Sequence, residues 1–200
     1  MSTISRHTLT DTRQLILRWA RELMLTRSYL GLNFQALADQ VGIRKASLYH
    51  HFASKEALGV ALVDEARLGF DRWQASLATE PPARQLLAYI RLLRDQVGAG
   101  NRVCPIGATA GEWACLEPAM QSAVRALHRS HLDWLTRVAQ RLSESAQEAG
   151  DATDPVSPEQ WALHVNAVCQ GALMNARLYG DAKVYDAAVA PLVTQFNRPR

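Results

Sequence analysis

The sequence predicts an all-α protein, with an N-terminal three-helix helix-turn-helix unit followed by a larger helical unit, about nine helices in all. Three observations carry this. Apolar residues recur at three- and four-residue spacing along most of the 200-residue chain, with no alternating strand pattern and no internal repeat. Prolines and glycines fall between the periodic stretches, where helices begin and end. Hydrophobic residues make up 48% of the chain but aromatics only 7%, an Ala- and Leu-rich composition suited to helices. Two hundred residues are ample for a buried core, as one large unit or two closely packed small ones.

In chain order, the first helix is expected to start near Thr10, a good N-cap, and to turn Leu15, Ile16, Trp19, Leu23 and Met24 to one side. Asn33 can cap the second helix, whose Phe34, Leu37, Ala38 and Val41 lie at helical spacing, with Ile43 just beyond. Gly42 supplies the permissive backbone of a tight turn. Leu48 and Phe52 anchor a third helix inward, which leaves Arg44, Lys45, Ser47, Tyr49 and His50 on its other faces. Ser54 caps a fourth helix of about 55–79, and Pro81–Pro82 open a fifth that ends at the Gly98–Gly100 turn. A short segment spans Pro105 to Cys115, and Pro118 starts a long helix to about Ala149. The polar stretch GDATDPVSP reads as a loop. Pro158 begins a helix to about Tyr179, Val184 to Phe196 forms the last, and the tail NRPR is expected to fray.

Charge is divided unevenly. Residues 1–55 carry eight Lys/Arg against three acids, whereas residues 56–200 carry fourteen against sixteen, so the net charge of +3 comes from the segment holding the turn between two short helices. A positive face there is what phosphate binding requires. No basic start precedes an apolar stretch, and no run of some 18 apolar residues could span a bilayer, so a cytoplasmic protein is expected, without membrane contact. Cys104, Cys115 and Cys169 lack metal-ligand spacing and are odd in number, which argues against a disulfide framework. No cofactor is expected. Glu112 lies on a different element from His128 and His131, and the three form no tight metal motif. An enzyme with Cys104 as nucleophile and His128 or His131 as base lacks an orienting third group, so no enzyme activity is expected.

The stretch ALADQVGIRKASLYHHFASKEAL, the amphipathic RQLILRWARELM before it and the linker RSYLGLNF resemble the N-terminal domain of the TetR family of one-component repressors, over roughly Thr12 to Leu62. That resemblance implies residues 1–54 as a DNA-binding unit and 55–200 as a helical effector-binding and dimerising unit. It implies a double-stranded operator as partner, with Tyr49, His50 and Lys55 on phosphates. The groove-facing Arg44, Lys45 and Ser47 are then placed to read bases, and Gln35 and Asn33 to reach the backbone from the second helix. The chain departs from the family pattern at two places. Arg44 stands where Ser or Thr usually precedes the recognition helix, and Ser28 where Gly commonly closes the first.

In the second unit, WALHVNAVCQGALMNARLYGD carries the small residues Ala162, Ala167, Gly171, Ala172 and Ala176. It resembles the family's eighth helix, which implies a homodimer through residues about 158–196; an intramolecular core helix is the other reading. Cys104 precedes Pro105 at a predicted helix start with Arg102 nearby, a setting that lowers a thiol's pKa. It is similar to a branch of the family that responds to electrophiles or oxidants; a small buried hydrophobe is the other reading, since free Cys is among the most buried residues. A small-molecule effector is expected to meet Trp73, Tyr89, Cys104, Trp113, His131, Trp134, Asn166 and Gln170, each of which could instead be ordinary core. The functional expectation is a dimeric, ligand-responsive repressor on a palindromic operator. The alternative is a DNA-binding regulator controlled by a protein partner or without ligand.

Overall fold

The structure, a computed structural model, describes residues 3–98, 100, 102, 104–150 and 156–196, with side chains from Asp11 onward. Among these residues are nine α-helices, one 3-10 turn and no strand. They are α1 (Thr3–Arg27), α2 (Phe34–Val41), α3 (Lys45–His51), α4 (Lys55–Ser76), α5 (Pro82–Gln96), α6 (Pro105–Gly111), a 3-10 turn (Trp113–Cys115), α7 (Pro118–Glu148), α8 (Pro158–Tyr179) and α9 (Ala182–Phe196).

Local chemistry accounts for most boundaries. Asn33 accepts hydrogen bonds from the Gln35 and Ala36 N–H groups, and Ser54 from Ala57, so α2 and α4 begin with satisfied amides. Ser157 and Gln160 form a reciprocal capping box ahead of α8. Prolines stand in the first turns of α5, α6, α7 and α8, where a missing N–H costs nothing. Gly100, at φ 91°, lies so close to Gly180 that a Cβ would sit 2.4 Å from its carbonyl carbon. That glycine is fixed by contact as well as by conformation.

Four expectations change. α1 runs from Thr3, not Thr10, since no Gly or Pro interrupts the stretch before it. Its buried face is Ile16, Leu17, Ala20 and Met24, while Trp19 is 36% exposed. The small Ala20, rather than the indole, is what packing admits on that side. α4 stops at Ser76, whose hydroxyl donates to the Trp73 carbonyl, and the Gln85 amide then donates to the Leu77 and Glu80 carbonyls. α9 starts at Ala182 because the Asp181 carboxylate accepts from the Lys183 N–H. The expected 150–158 loop lies largely outside the described residues (151–155), and so does the NRPR tail.

α4 packs along α7, α7 along α8, and α8 against α9, with α5 wedged against α7 and α9. α1 touches both α2 and α4. One hydrophobic cluster runs from Ile16 in α1 to Leu192 in α9, so the N-terminal unit and the helical body share a continuous core. No described helix is long and apolar enough to cross a membrane.

Candidate functional site

α2 and α3 are held as a helix-turn-helix by a turn at Gly42 (φ 75°), where the Ile43 N–H reaches back to Ala38 at 3.0 Å. Leu37, Ala38 and Leu48 are fully buried beneath the turn, which fixes the angle between the two helices. Arg44 is the N-cap of α3 and makes no side-chain capping bond, so the first amides of α3 stay open. Arg44, Lys45, Tyr49 and His50 are exposed and Ser47 is half-buried. The Tyr49 ring leans on Phe34, with centroids 5.1 Å apart, so its hydroxyl end projects from a fixed base. Asn33 spends its carbonyl on the α2 cap, and the Gln35 amide donates to Asp39 at 2.9 Å. Lys55, in the first turn of α4, donates to the Leu30 carbonyl at 3.1 Å and lies over the Tyr29 ring.

The segment joining α1 to α2 is tied to the body by acids. Ser28 adopts φ 60°, a left-handed conformation rare for residues other than Gly. Its hydroxyl donates to Glu112, and the Leu30 N–H donates to the other oxygen of the same carboxylate at 3.1 Å. Tyr29 donates to Glu117 at 2.7 Å, and burial followed by that carboxylate pushes its phenol pKa up. Arg102 pairs with Glu22 at 2.6 Å. Its guanidinium is therefore committed to α1 rather than serving the Cys104 thiol as expected.

A cavity of about 390 Å³ opens between α1, α4, α5, α6 and α7. Its walls are mostly apolar, from Met24 and Leu25 on α1 to Leu62, Phe70 and Leu127. Of the residues expected to meet an effector, Trp73, Cys104 and His131 line it. Tyr89 and Trp134 stand behind Phe70 and Trp73 in one aromatic cluster. Asn166 lies deeper still, on the Tyr89 hydroxyl. Gln170 places its amide 3.5 Å from the Cys104 sulfur, and its carbonyl oxygen is buried without a partner. Trp113 is not brought to this cavity; the Arg125 guanidinium covers its ring at 4.6 Å. Leu62, Ala66, Phe70 and Gln96 also line the cavity and were not expected from sequence. The first three share a three- to four-residue spacing with Trp73, a legible stripe along α4.

His131 is 5% exposed and stacks on Phe70 at 3.9 Å. Burial, aided by nearby His128 and opposed by Asp71, lowers its pKa to about 4. It is thus neutral at ordinary pH. Cys169, buried behind Tyr185, has its thiol pushed up to about 11 by burial.

On its outer face, α8 exposes Leu163, Ala167, Met174 and Leu178, the last 79% exposed. Three of the five small residues singled out on this helix, Ala162, Ala172 and Ala176, point the other way into the core. Only Ala167 and Gly171 belong near the outward stripe.

Comparison with known proteins gives the same architecture. Residues 16–62 match the family described as bacterial regulatory proteins of the tetR family, and residues 82–192 the tetracyclin repressor-like C-terminal domain. The chain is similar to the HTH-type transcriptional repressor NemR of Escherichia coli (strain K12), at 26% identity over 94% of both chains. It is similar also to the HTH-type transcriptional repressor DhaR of Mycobacterium sp. (strain GP1), at 28% identity over 88% of each. A TetR-family regulator from Agrobacterium tumefaciens superposes with a TM-score of 0.83 at 30% identity, covering 94% of this chain and 98% of that one. With both parts of the fold matched, the chain belongs to the TetR family of DNA-binding transcriptional regulators.

Proposed function

We propose that this regulator is a homodimeric repressor, released from a palindromic operator by a small molecule that enters the cavity beside Cys104. Residues 1–54 are the DNA-binding unit, and residues 55–200 bind the effector and dimerise. The observation that carries the reading is the composition of the cavity wall, which includes Arg21, Met24 and Leu25 of α1 together with the long α4. Whatever fills it presses on the support of the helix-turn-helix and on the helix joining it to the body. A ligand that favours one spacing of two such heads changes operator affinity. The repressor sign follows the names of NemR and DhaR.

In the interface we assign, Arg44, Lys45 and Ser47 read base edges, and Asn33, Gln35, Tyr49, His50 and Lys55 meet the backbone. The exposed apolar stripe of α8, with α9 beside it, pairs two copies about a two-fold axis. Cys104 gives the cavity a second mode of triggering. The Cys104 thiolate, its proton given to solvent, adds to a conjugated carbon–carbon double bond; the carbon–sulfur bond forms as the π bond breaks, the neighbouring carbon takes a proton back from solvent, and the adduct occupies the same space. Tyr89, Trp134, Asn166 and Gln170 support the pocket from behind.

The test is a genomic footprint with purified protein, followed by a screen for compounds that release it. Release of wild type by an electrophile and loss of that release in Cys104→Ser supports the thiol mode; release that persists in Cys104→Ser removes it. A footprint that no small molecule disturbs favours control by a protein partner.

A further inference from the structure

We propose that the cavity selects aryl carbonyl compounds, with the Nε2–H of His131 as the donor that reads the carbonyl oxygen. This rests on the cavity being the effector site. A chain of buried polar groups fixes which nitrogen of His131 carries the proton. His128 Nε2 meets the Asn166 amide oxygen at 3.2 Å. The Asn166 amide nitrogen donates to the Tyr89 hydroxyl at 3.2 Å. That hydroxyl has one proton to give, and its remaining neighbour is His131 Nδ1 at 3.1 Å. Nδ1 therefore accepts, and the neutral ring carries its proton on Nε2.

His131 lines the cavity, and its Nε2 makes no hydrogen bond within the described residues. Nε2 is not among the polar atoms sealed from solvent without a partner, so the donor is open to an acceptor that enters the cavity. Phe70 and Trp73 line the cavity beside it and, although the Phe70 ring is already stacked on the imidazole and on Trp73, they give an aromatic guest an aromatic wall to pack against. A neutral imidazole supplies a directed donor but no charge, so a carbonyl suits it and a buried carboxylate does not. Arg21 and Arg72 line the same cavity, but both are exposed and Arg21 is paired with Glu65 of the same lining.

The probes are 1-tetralone, tetralin and 1-naphthoate, titrated calorimetrically into the full chain. Tetralone and tetralin share their two-ring shape and differ in one carbonyl. The ketone is expected to bind about three- to tenfold more tightly, the range a single neutral hydrogen bond provides. In His131→Phe that ratio falls to about one, and because both probes meet the same altered cavity, shape effects cancel. Equal binding in wild type, a ratio that survives His131→Phe, or tighter binding of 1-naphthoate overturns the donor assignment and leaves the cavity reading intact. Failure of all three to bind overturns the selection of aryl carbonyl compounds, while the cavity reading itself stands or falls with the screen for compounds that release the operator. Nitrogen-15 NMR of imidazole-labelled wild type tests the tautomer independently, without a variant. The proton on Nε2 at neutral pH supports the proposal, and the proton on Nδ1 overturns it.

Discussion

Replacing His131 by Phe is expected to flatten the acid limb of the stability curve. In the folded chain, burial against Phe70 moves the imidazole midpoint from 6.5 down to about 4. His128 on α7 pushes the same way, and Asp71 on α4 opposes it. A depressed folded pKa means that the unfolded chain takes up the proton first as pH falls. The stability contribution is thus complete above pH 6.5 and drains away as pH falls to about 4. At ~1.36 kcal/mol per tenfold change in proton activity, the loss is about 3 kcal/mol. Urea unfolding at pH 7, 6, 5 and 4 measures it directly. His131→Phe has no proton to bind, so the difference between wild type and variant should change by about 3 kcal/mol across this range, whatever the offset at pH 7. Two curves falling in parallel would refute the claim that His131 is held neutral by burial.

Other perturbations test separate parts of the molecule. Asn33→Ala removes the acceptor for two α2 amides and should cost about 1 kcal/mol in urea unfolding; an unchanged midpoint contradicts the cap's worth. Lys45→Ala should weaken operator binding and change base preference by about 1–3 kcal/mol, while Lys55→Ala weakens operator and random duplexes alike; equal losses on both duplexes for both variants sink that division. Ser28→Ala loses the Glu112 bond but keeps the left-handed backbone, whereas Ser28→Gly loses the bond and relieves that backbone, so Gly should be the more stable by about 1 kcal/mol. Identical midpoints would show no strain at that corner. Met174→Glu with Leu178→Asp places two acids on the exposed α8 stripe and should yield monomers in analytical ultracentrifugation; an undisturbed dimer puts the interface elsewhere.

What the sequence made legible follows from how local each signal is. Asn33, Ser54 and the prolines opening α5 to α8 act within one helical turn, and each boundary they mark stands where the residues put it. The helix-turn-helix is similarly self-contained, since Leu37, Ala38, Gly42 and Leu48 specify it within a dozen residues. Tertiary competition hid the rest. Trp19 shares α1 with Ala20, and only the packing of α1 on its neighbours decides which of the two is covered. Arg102 lies close to Cys104 in sequence, yet Glu22, eighty residues away, takes its guanidinium. The small residues of α8 read as one set, although the helix divides them between the core and the outer face.

The same long-range contacts explain why a cavity in the body can matter to α3. Protein interiors are close-packed and transmit displacement rather than absorb it. A guest between α4 and α6 meets α1 at Met24 and Leu25, one turn before the α1 helix ends. Immediately beyond that end, Ser28 and Leu30 share the Glu112 carboxylate, which follows the last residue of α6. α6 begins directly after Cys104. On the proposed effector reading, movement of α6 would reach the α1–α2 connection by two routes, through the cavity contents and through Glu112. Only the second depends on a single side chain. Glu112→Ala removes both acceptors and with them the second route, so a response that survives in it must travel through α1 and α4.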